Sequence, residues 1–137
     1  MSKKEYTNCF LCGSKNPVGL QLDFTFREEK SFAEWTANKN YEGYENTIHG
    51  GIIASLIDEA VAKIILENDI IAVTTELSVK YIKPFKVGDV AIICGEIIEK
   101  RGRIINGKAV IYDKNNPDFI YAEGFCKYFV TAASRQP

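Results

Sequence analysis

The chain has 137 residues, with 17 Lys or Arg and 18 Asp or Glu, so its formal net charge is −1. That length supports one domain with a sizeable core and is too short for two ordinary domains. The balanced charge excludes the clustered basic excess of a nucleic-acid-binding surface. The N-terminus lacks the apolar h-region of a secretory signal, and no apolar run approaches the ~20 residues of a membrane span. We therefore expect a cytoplasmic protein without nucleic-acid or membrane partners.

The first 19 residues predict an irregular lead-in, because glycine and proline punctuate them. Within it, Cys9 and Cys12 have the spacing of half a structural zinc site, but a second C-x-x-C is missing. The remaining ligands would have to come from Cys94, Cys126, His49 or the same two cysteines of a partner subunit. We expect reduced thiols packed in a turn and no metal. A disulfide framework and a redox motif are not expected, since no export signal and no βαβ pattern accompany the cysteines.

Two strands should follow the lead-in. Alternating apolar and polar residues predict a half-buried strand over 20–26 and a second over 31–37, joined by a short turn into a hairpin. A polar and aromatic loop over 38–47, with Gly43 at its centre, then leads directly into His49. Loops that enter a helix are common places for ligand contacts.

The most apolar stretch of the chain predicts an α-helix. Between residues 52 and 65, apolar side chains recur at i, i+1, i+4 and i+5, which is typical of an amphipathic helix with a broad buried side. Gly50 and Gly51 stand where this helix should begin. Backbone N–H groups there lack intrahelical partners and carry the positive end of the helix dipole. Because glycine has no side chain, a ligand can approach these N–H groups closely.

Two carboxylates, Asp58 and Glu59, follow about two helical turns later. Asp58 shares its sector of the helix with the small residues Ala54, Ser55 and Ala62, which leaves room for a ligand or for the backbone of another subunit. The pattern also fits two solvated charges on the polar side. Glu59 points about 100° away from Asp58, so the two can hardly serve one site. Ser55 is not a triad nucleophile, because no nucleophile-elbow motif surrounds it.

The spacing within the helix predicts how a site would be shared. Asp58 lies about 12 Å along the helix from Gly50, at roughly 1.5 Å per residue. One carboxylate therefore cannot act on a group held at its own helix start. Two such helices packed antiparallel across a dimer would place Asp58 of one chain near Gly50 of the other. If these residues share a site, that site is built from two chains.

Four further strands should follow the helix, which ends at Asn68 and Asp69. We predict strands over 72–83, 90–99, 103–113 and 119–131, with a bulge at Gly95, a kink at Gly107, turns over 84–89 and 115–118, and fraying over 132–137. Consecutive strands joined by short turns form an antiparallel sheet, and a helix that is apolar over a broad sector must be covered by it. The sequence thus predicts an α+β fold, in which a curved antiparallel sheet wraps around one long central helix.

The stretch from Ile48 to Glu59, I-H-G-G-I-I-A-S-L-I-D-E, resembles the hotdog-fold thioesterases. It is most similar to the phenylacetate-pathway-type (PaaI-like) acyl-CoA thioesterases. Supporting stretches are T-T-E-L-S-V-K-Y-I-K-P over 74–84, V-G-D over 87–89, and C-x-x-C-G-x-x-N-P-x-G-L over 9–20. The resemblance covers nearly the whole chain in the expected order and implies a single hotdog domain over residues 1–137.

The resemblance implies a thioesterase that hydrolyses an acyl-CoA to a free carboxylic acid and coenzyme A without a cofactor. In that family a backbone N–H at the helix start, here of Gly51 or Gly50, polarises the thioester carbonyl. The acidic residue nine positions after the histidine is Asp58 here. It comes from the opposite subunit and acts as general base on water or as nucleophile. A Ser or Thr that starts the next strand helps to hold the attacking water, and this would be Thr74 or Thr75.

Two positions in the loop before the helix bear on this site. The resemblance implies that His49 shapes the loop and contacts the thioester or a water, and a histidine at a helix entrance is more often an orienting hydrogen bonder than a proton carrier. Several family members place an asparagine six residues before the histidine, where this chain has Gly43. Asn46 lies nearby and is the candidate substitute.

The resemblance further implies that coenzyme A binds through surface cations and a tunnel between subunits. The candidate cations are Lys80, Lys83, Lys86, Lys100, Arg101 and Arg103, each of which also fits a solvated strand edge. Trp35, Tyr41 and Tyr44 either line an acyl pocket or are core and loop aromatics. The expected partners are an acyl-CoA and further copies of the chain, as a homodimer or tetramer. The alternatives are a non-catalytic acyl-CoA-binding module and a dehydratase or hydratase, because one fold hosts several functions.

Overall fold

The computed structural model describes residues 6–133. In this part of the chain, a 3-10 turn spans Lys39–Tyr41, and one α-helix, α1, spans Gly50–Glu67. The strands are β1 (Thr25–Arg27), β2 (Lys30–Thr36), β3 (Ile70–Tyr81), β4 (Val90–Arg101), β5 (Ile104–Asp113) and β6 (Asn116–Ala133). They form one antiparallel sheet in the order β1-β2-β4-β5-β6-β3. The sheet packs around α1, so the predicted hotdog architecture is confirmed.

The apolar side of α1 is buried against the inner face of the sheet. Its buried residues are Ile53, Leu56, Ile57, Ala60, Val61, Ile64 and Ile65. This is the predicted stripe, except that Ile52 is only partly buried. Burial of each Leu or Ile contributes about 1.5–3 kcal/mol, so the stripe fixes the rotation of the helix and leaves Asp58 at its margin. No helix within residues 6–133 is both long and apolar enough to cross a membrane.

Two glycines let α1 approach the sheet closely. A Cβ atom on Gly95 of β4 would lie 2.7 Å from the carbonyl carbon of Ala60, and one on Gly107 of β5 would lie 2.4 Å from a methyl group of Val61. The kink predicted at Gly107 stays a prediction, because close packing on the helix does not test it. The predicted bulge at Gly95 was wrong, since Gly95 pairs in regular register with Ser31 of β2 and Ala109 of β5. The register shift between β4 and β5 falls after Ile97 instead.

The first hairpin is confirmed, but β1 is shorter than the predicted strand over 20–26. Leu20 and Leu22 donate their N–H groups to the carbonyl oxygens of Phe10 and Leu11, at 3.0 and 2.8 Å. This segment therefore pairs with the lead-in and not with β2. The predicted alternation still describes burial, since Leu22 points into the core.

The turn before β6 lies at residues 114–115 and not over the predicted 115–118. The Asp113 carboxylate accepts the backbone N–H of Asn115 at 3.0 Å and closes this turn. Pro117 consequently falls inside β6, where the register between β5 and β6 shifts and a proline is tolerated.

The first strand after the helix begins earlier than predicted, and the last strand ends later. β3 begins at Ile70, two residues early, and β6 includes Ala132, where fraying was expected. Residues 134–137 lie outside the described residues. β3 is an edge strand that pairs only with β6 among residues 6–133. Its other edge has no strand partner in the described part of the chain and is open to pairing with another chain. Several of its side chains are exposed, with Val73 at 51 % and Tyr81 at 54 %.

Candidate active site

Two hydroxyl groups from the sheet hold the carboxylate of Asp58. Thr74 Oγ1 on β3 donates to Asp58 Oδ1 at 3.0 Å, and Tyr128 Oη on β6 donates to the same oxygen at 2.6 Å. Tyr128 Oη also lies 2.8 Å from the backbone carbonyl oxygen of Asp58. No group within residues 6–133 donates to Oδ2. One carboxylate oxygen is thus fixed by the protein, and the other is available to a ligand.

Sequence reasoning missed Tyr128, which lies 70 residues from Asp58. The available signal is its place on the inward side of β6, in alternation with Cys126, because a tyrosine hydroxyl buried there needs a partner. Tyr128 is 1 % exposed. Burial, followed by the hydrogen bond to Asp58, raises the pKa of Tyr128 far above its usual range. The hydroxyl therefore stays protonated and remains a donor to the carboxylate.

The start of α1 forms a second hydrogen-bonded group. His49 is the N-cap, and its Nδ1 accepts the N–H of Gly51 at 2.8 Å. Tyr81 Oη on β3 donates to the carbonyl oxygen of Gly50 at 2.8 Å. The peptide unit between the two glycines is therefore held at both its N–H and its C=O. The N–H of Gly50 has no acceptor in the described part of the chain, so it is the donor available to a ligand.

The loop before the helix packs directly on His49. A Cβ atom on Gly43 would lie 3.1 Å from the Cα of His49, so a larger residue there requires the loop to move. Asn46 has a φ of 64°, donates its N–H to the Glu42 carboxylate at 2.7 Å, and accepts the N–H of Val87 at 3.1 Å. These contacts make Asn46 a turn residue that holds the loop, and none of them reaches the histidine.

A cleft of about 420 Å³ opens beside the helix start. Its lining residues are Asn40, Tyr41, Glu42, His49, Gly51, Ile52 and Ser55. Tyr41 is the one candidate acyl-pocket aromatic in this lining, and its hydroxyl donates to the carbonyl oxygen of Val18 at 2.8 Å. Trp35 lies in the core at 8 % exposure, and Tyr44 is 90 % exposed.

Thr75 does not reach Asp58. Its Oγ1 donates to the carbonyl oxygen of Lys127 at 3.1 Å, beside the register shift that separates Thr74 from Glu76. Of the two threonines proposed from the sequence, Thr74 is therefore the one that contacts the carboxylate.

The candidate cations are exposed and do not form one group. Lys80 is an exposed residue of β3, and Lys83 Nζ lies 5.6 Å from the ring centre of Phe119. Arg101 lies at the end of β4 and pairs with Glu99 at 2.9 Å. Three strand spacings separate β4 from β3, which is roughly 14 Å at ~4.8 Å per spacing. Any single ligand that meets all of them has to be long.

A second polar cluster lies where the lead-in crosses α1. The Sγ atoms of Cys9 and Cys12 and a carboxylate oxygen of Glu59 lie within 4.8 Å of one another. Lys63 Nζ lies 3.7 Å from Cys12 Sγ. Burial raises the pKa of Glu59, and burial with a hydrogen bond to Glu59 raises the pKa of Cys12. Glu59 thus faces a different site from Asp58, as the helix geometry predicted.

The sequence was compared with known families and proteins. The sequence model of the thioesterase superfamily matches residues 45–120, more than half of the chain. A search of curated protein sequences found no match. The matched segment contains Asp58, Thr74 and the helix start, whereas Cys9, Cys12 and Tyr128 lie outside it.

Several solved structures share the fold. The protein smu.793 from Streptococcus mutans, solved bound to acetyl CoA, has a TM-score of 0.76 and 21 % identity, covering 83 % of this chain and 91 % of its own. A hypothetical thioesterase from Streptococcus pneumoniae, solved with coenzyme A, has a TM-score of 0.77 and 19 % identity, covering 83 % and 88 %. It has also been solved as a threonine-to-alanine and an aspartate-to-alanine variant. The E. coli PaaI protein from the phenylacetic acid degradation operon has a TM-score of 0.73 and 18 % identity, covering 80 % and 83 %.

Proposed function

Because the chain belongs to the thioesterase superfamily, we propose that it is a PaaI-like enzyme that hydrolyses an acyl-CoA thioester to a free carboxylic acid and coenzyme A. The observation that carries this proposal is the carboxylate of Asp58. Its Oδ1 accepts hydrogen bonds from Thr74 and Tyr128, while Oδ2 stays available. A carboxylate anchored through one oxygen presents the other in a defined direction, as acid–base or nucleophilic catalysis requires.

Asp58 is the group that starts the reaction, by one of two routes. As a general base, Oδ2 takes a proton from a water whose oxygen attacks the thioester carbonyl carbon. The C–S bond then breaks, and the proton passes to the sulfur of coenzyme A. As a nucleophile, Oδ2 attacks the carbonyl carbon, and the C–S bond breaks to release coenzyme A as a thiolate. Water then hydrolyses the mixed anhydride to the free acid and regenerates the Asp58 carboxylate, and a proton of this water passes to the thiolate. Thr74 suits the first route, because its hydroxyl donates to Asp58 and retains lone pairs that accept a hydrogen bond from the water.

The N–H of Gly50 is the proposed donor to the thioester oxygen, which gains negative charge as the carbonyl is attacked. It lies at the positive end of an 18-residue helix. His49 and Tyr81 hold the adjacent peptide unit, so the direction of the Gly50 N–H is set before substrate binds. In this arrangement His49 is a positioning residue and does not carry the proton.

The geometry of β3 supports a site built from two chains, and hence at least a homodimer. Thr74 lies beside Asp58, and Tyr81, seven residues further along β3, lies beside Gly50 of the same chain. Seven residues of strand span roughly 23 Å at ~3.3 Å each, which is too far for one thioester. If two β3 edges pair antiparallel about a twofold axis midway along this segment, Thr74 of one chain faces Tyr81 of the other. Asp58 then lies near Gly50 of the partner subunit.

The structural relatives support coenzyme A as part of the substrate. The Streptococcus mutans protein was solved with acetyl CoA, and the Streptococcus pneumoniae protein with coenzyme A. In the pneumococcal protein, the replaced aspartate and threonine are separated by the same number of residues as Asp58 and Thr74 are in this chain. In this chain, exposed Lys80, Lys83 and Arg101 are the proposed contacts for the phosphates of coenzyme A.

A thiol-release assay with short, medium, long and aryl acyl-CoAs tests the function. Asp58→Asn keeps the shape of the side chain but cannot accept the proton of a water. We expect the wild type to release coenzyme A and the variant to be slower by on the order of 10²–10⁴-fold, while coenzyme A still raises the melting temperature of both. Wild-type rates in the variant would contradict the assignment. Binding without release by the wild type would indicate a non-catalytic acyl-CoA-binding module.

Mixing two inactive variants tests whether the site is shared. Asp58→Asn lacks the carboxylate, and Gly50→Pro lacks the N–H at the first helical position, where proline is tolerated. If the site spans two chains, each mixed dimer contains one intact site. Subunit exchange should then restore about a quarter of the wild-type activity. No recovery in verified mixed dimers would place the whole site within one chain.

A further inference from the structure

Glu59 of α1 faces the two cysteines of the lead-in. Its carboxylate and the sulfurs of Cys9 and Cys12 lie within 4.8 Å of one another, and Cys9 Sγ is 3.8 Å from Glu59 Oε2. Thiolates together with a carboxylate are a ligand set for zinc. We propose that Cys9, Cys12 and Glu59 form a binding site for a thiophilic divalent cation, Zn²⁺. This inference does not depend on the proposed thioesterase function.

The sequence argued against a metal only because the C-x-x-C pair lacked further ligands. The sources considered, Cys94, Cys126 and His49, are not part of the cluster. Helix α1 supplies Glu59 instead, 50 residues from Cys9. The missing ligand is thus a carboxylate that becomes a neighbour only when the lead-in packs on the helix.

Cys9 and Glu59 already lie close to the spacing that zinc requires. With Zn–S near 2.3 Å and Zn–O near 2.0–2.2 Å, a sulfur and an oxygen in a tetrahedral site lie roughly 3.5 Å apart. Two sulfurs lie about 3.8 Å apart in the same geometry. The observed separation of 3.8 Å between Cys9 Sγ and Glu59 Oε2 therefore needs only a small side-chain adjustment.

The backbone positions these ligands before any metal binds. The N–H of Gly13 donates to the carbonyl oxygen of Cys9 at 2.9 Å and closes the C-x-x-C-G turn. A Cβ atom on Gly13 would lie 2.4 Å from the backbone nitrogen of Cys9, so the turn requires glycine after Cys12. Glu59 comes from the middle of an 18-residue helix. A site whose ligands sit on fixed backbone loses little conformational entropy on binding.

Lys63 completes the charge balance of the site. It lies one helical turn beyond Glu59, with Nζ 3.7 Å from Cys12 Sγ. Two thiolates and one carboxylate carry three negative charges, which one Zn²⁺ and one ammonium group neutralise. An N–H donor to a metal-bound ligand is a typical outer partner, and loss of such a partner weakens metal binding.

The three ligand residues line a cavity of about 640 Å³. Its apolar wall includes Ile65, Leu66, Ile70, Ile71 and Ala72. Three protein ligands leave one position for a water, as in zinc sites that are not closed. Tyr128, which holds Asp58, lines the same cavity. A bound metal would therefore fasten the lead-in to α1 beside the proposed catalytic carboxylate.

Cobalt titration of the full chain, reduced and stripped of metal with a chelator, tests the site. We expect one Co²⁺ per chain, with sulfur-to-cobalt charge-transfer absorption, tetrahedral d–d bands and displacement by Zn²⁺. Cys9→Ser and Cys12→Ser should abolish the charge-transfer absorption, and Lys63→Met should weaken binding by about 10-fold or more. Cys94→Ser is the matched control, since Cys94 is another partly buried cysteine, and it should bind Co²⁺ as the wild type does.

A second measurement on the wild type avoids reliance on variants that fail to fold. Zn²⁺ should protect Cys9 and Cys12 from alkylation, read by mass spectrometry, and should leave the labelling of Cys94 unchanged. Absence of cobalt–thiolate absorption in the reduced wild type overturns the proposal. Absorption that survives in a folded Cys9→Ser, Cys12→Ser double variant also overturns it. A third contrary result is that Zn²⁺ gives no protection from alkylation because the two cysteines form a disulfide.

Discussion

Tyr128 and Asp58 lie 70 residues apart in the sequence, and the tyrosine hydroxyl donates to the aspartate carboxylate at 2.6 Å. The same hydroxyl lies 2.8 Å from the backbone carbonyl oxygen of Asp58. A buried residue of β6 therefore sets the side-chain direction of the proposed catalytic group. Activity should respond to a change in the core that touches no substrate.

Tyr128→Phe removes this donor and keeps the ring. We expect kcat to fall on the order of 10- to 100-fold, because Asp58 loses one of the two hydrogen bonds that orient it, while KM changes little. Stability should fall by about 1–2 kcal/mol, since the variant loses the hydrogen bond that a buried hydroxyl donates to a carboxylate. Steady-state kinetics and urea unfolding measure the two effects.

Tyr121→Phe is the matched control. Tyr121 also lies on β6, is 2 % exposed, and donates its hydroxyl to Asp113 at 3.1 Å, away from the site. This variant should lose comparable stability and keep its kcat. An equal loss of kcat in both variants would show that Tyr128 acts through stability alone.

Replacement of His49 separates positioning from proton transfer. His49→Ala removes the acceptor for the Gly51 N–H, so we expect a loss of about 0.5–2 kcal/mol together with lower activity. His49→Asn retains an N-cap acceptor and should recover most of the activity and stability. If both variants are equally inactive although the asparagine variant is stable, His49 does more than cap the helix, by proton transfer or by contact with the substrate.

Gly95→Ala should destabilise the protein by about 1–3 kcal/mol, because the new methyl group meets the backbone of Ala60 at 2.7 Å. Gly102→Asn serves as control, since Gly102 has open space and a φ of 60°, which asparagine tolerates. Thermal unfolding should show a clear loss for the first variant and little change for the second. Equal stability of the two would mean that the helix can shift away from β4 at little cost.

Cys126 should resist alkylation in the folded protein at pH 8. It is 3 % exposed, and burial raises its pKa to about 11, so the unreactive thiol form dominates below that pH. Labelling of Cys126 should rise only as the pH nears 11 or when the protein unfolds. Iodoacetamide labelling read by peptide mass spectrometry measures this, with the denatured chain as the fully reactive reference. Rapid labelling at pH 8 would show that β6 opens locally.

Long-range contacts explain what sequence reasoning missed at the site. The helix start, its buried stripe and the placing of Asp58 and Glu59 on different sides follow from helical periodicity. Tyr128 lies in another strand, and nothing in its own neighbourhood indicates which residue its hydroxyl meets. Glu59 was likewise assigned no partner, because its neighbour Cys9 is 50 residues away.

The same reason explains the errors in the fold. Gly95 fits a bulge within its own strand, and only the packed helix shows that it leaves room for the backbone of Ala60. β1 stops short because residues 20–22 find backbone partners in the lead-in, which has no regular pattern from which pairing can be predicted.

The sequence by itself determined the helix, the antiparallel strands and the family motif around Asp58, because periodicity and helix starts depend on residues within a few positions of each other. The tertiary structure decided which oxygen of Asp58 is fixed, which glycine N–H is available and which carboxylate faces the cysteines. These properties depend on sheet register and on the packing of α1. Both are set by contacts between residues far apart in the chain, for which local sequence carries no signal.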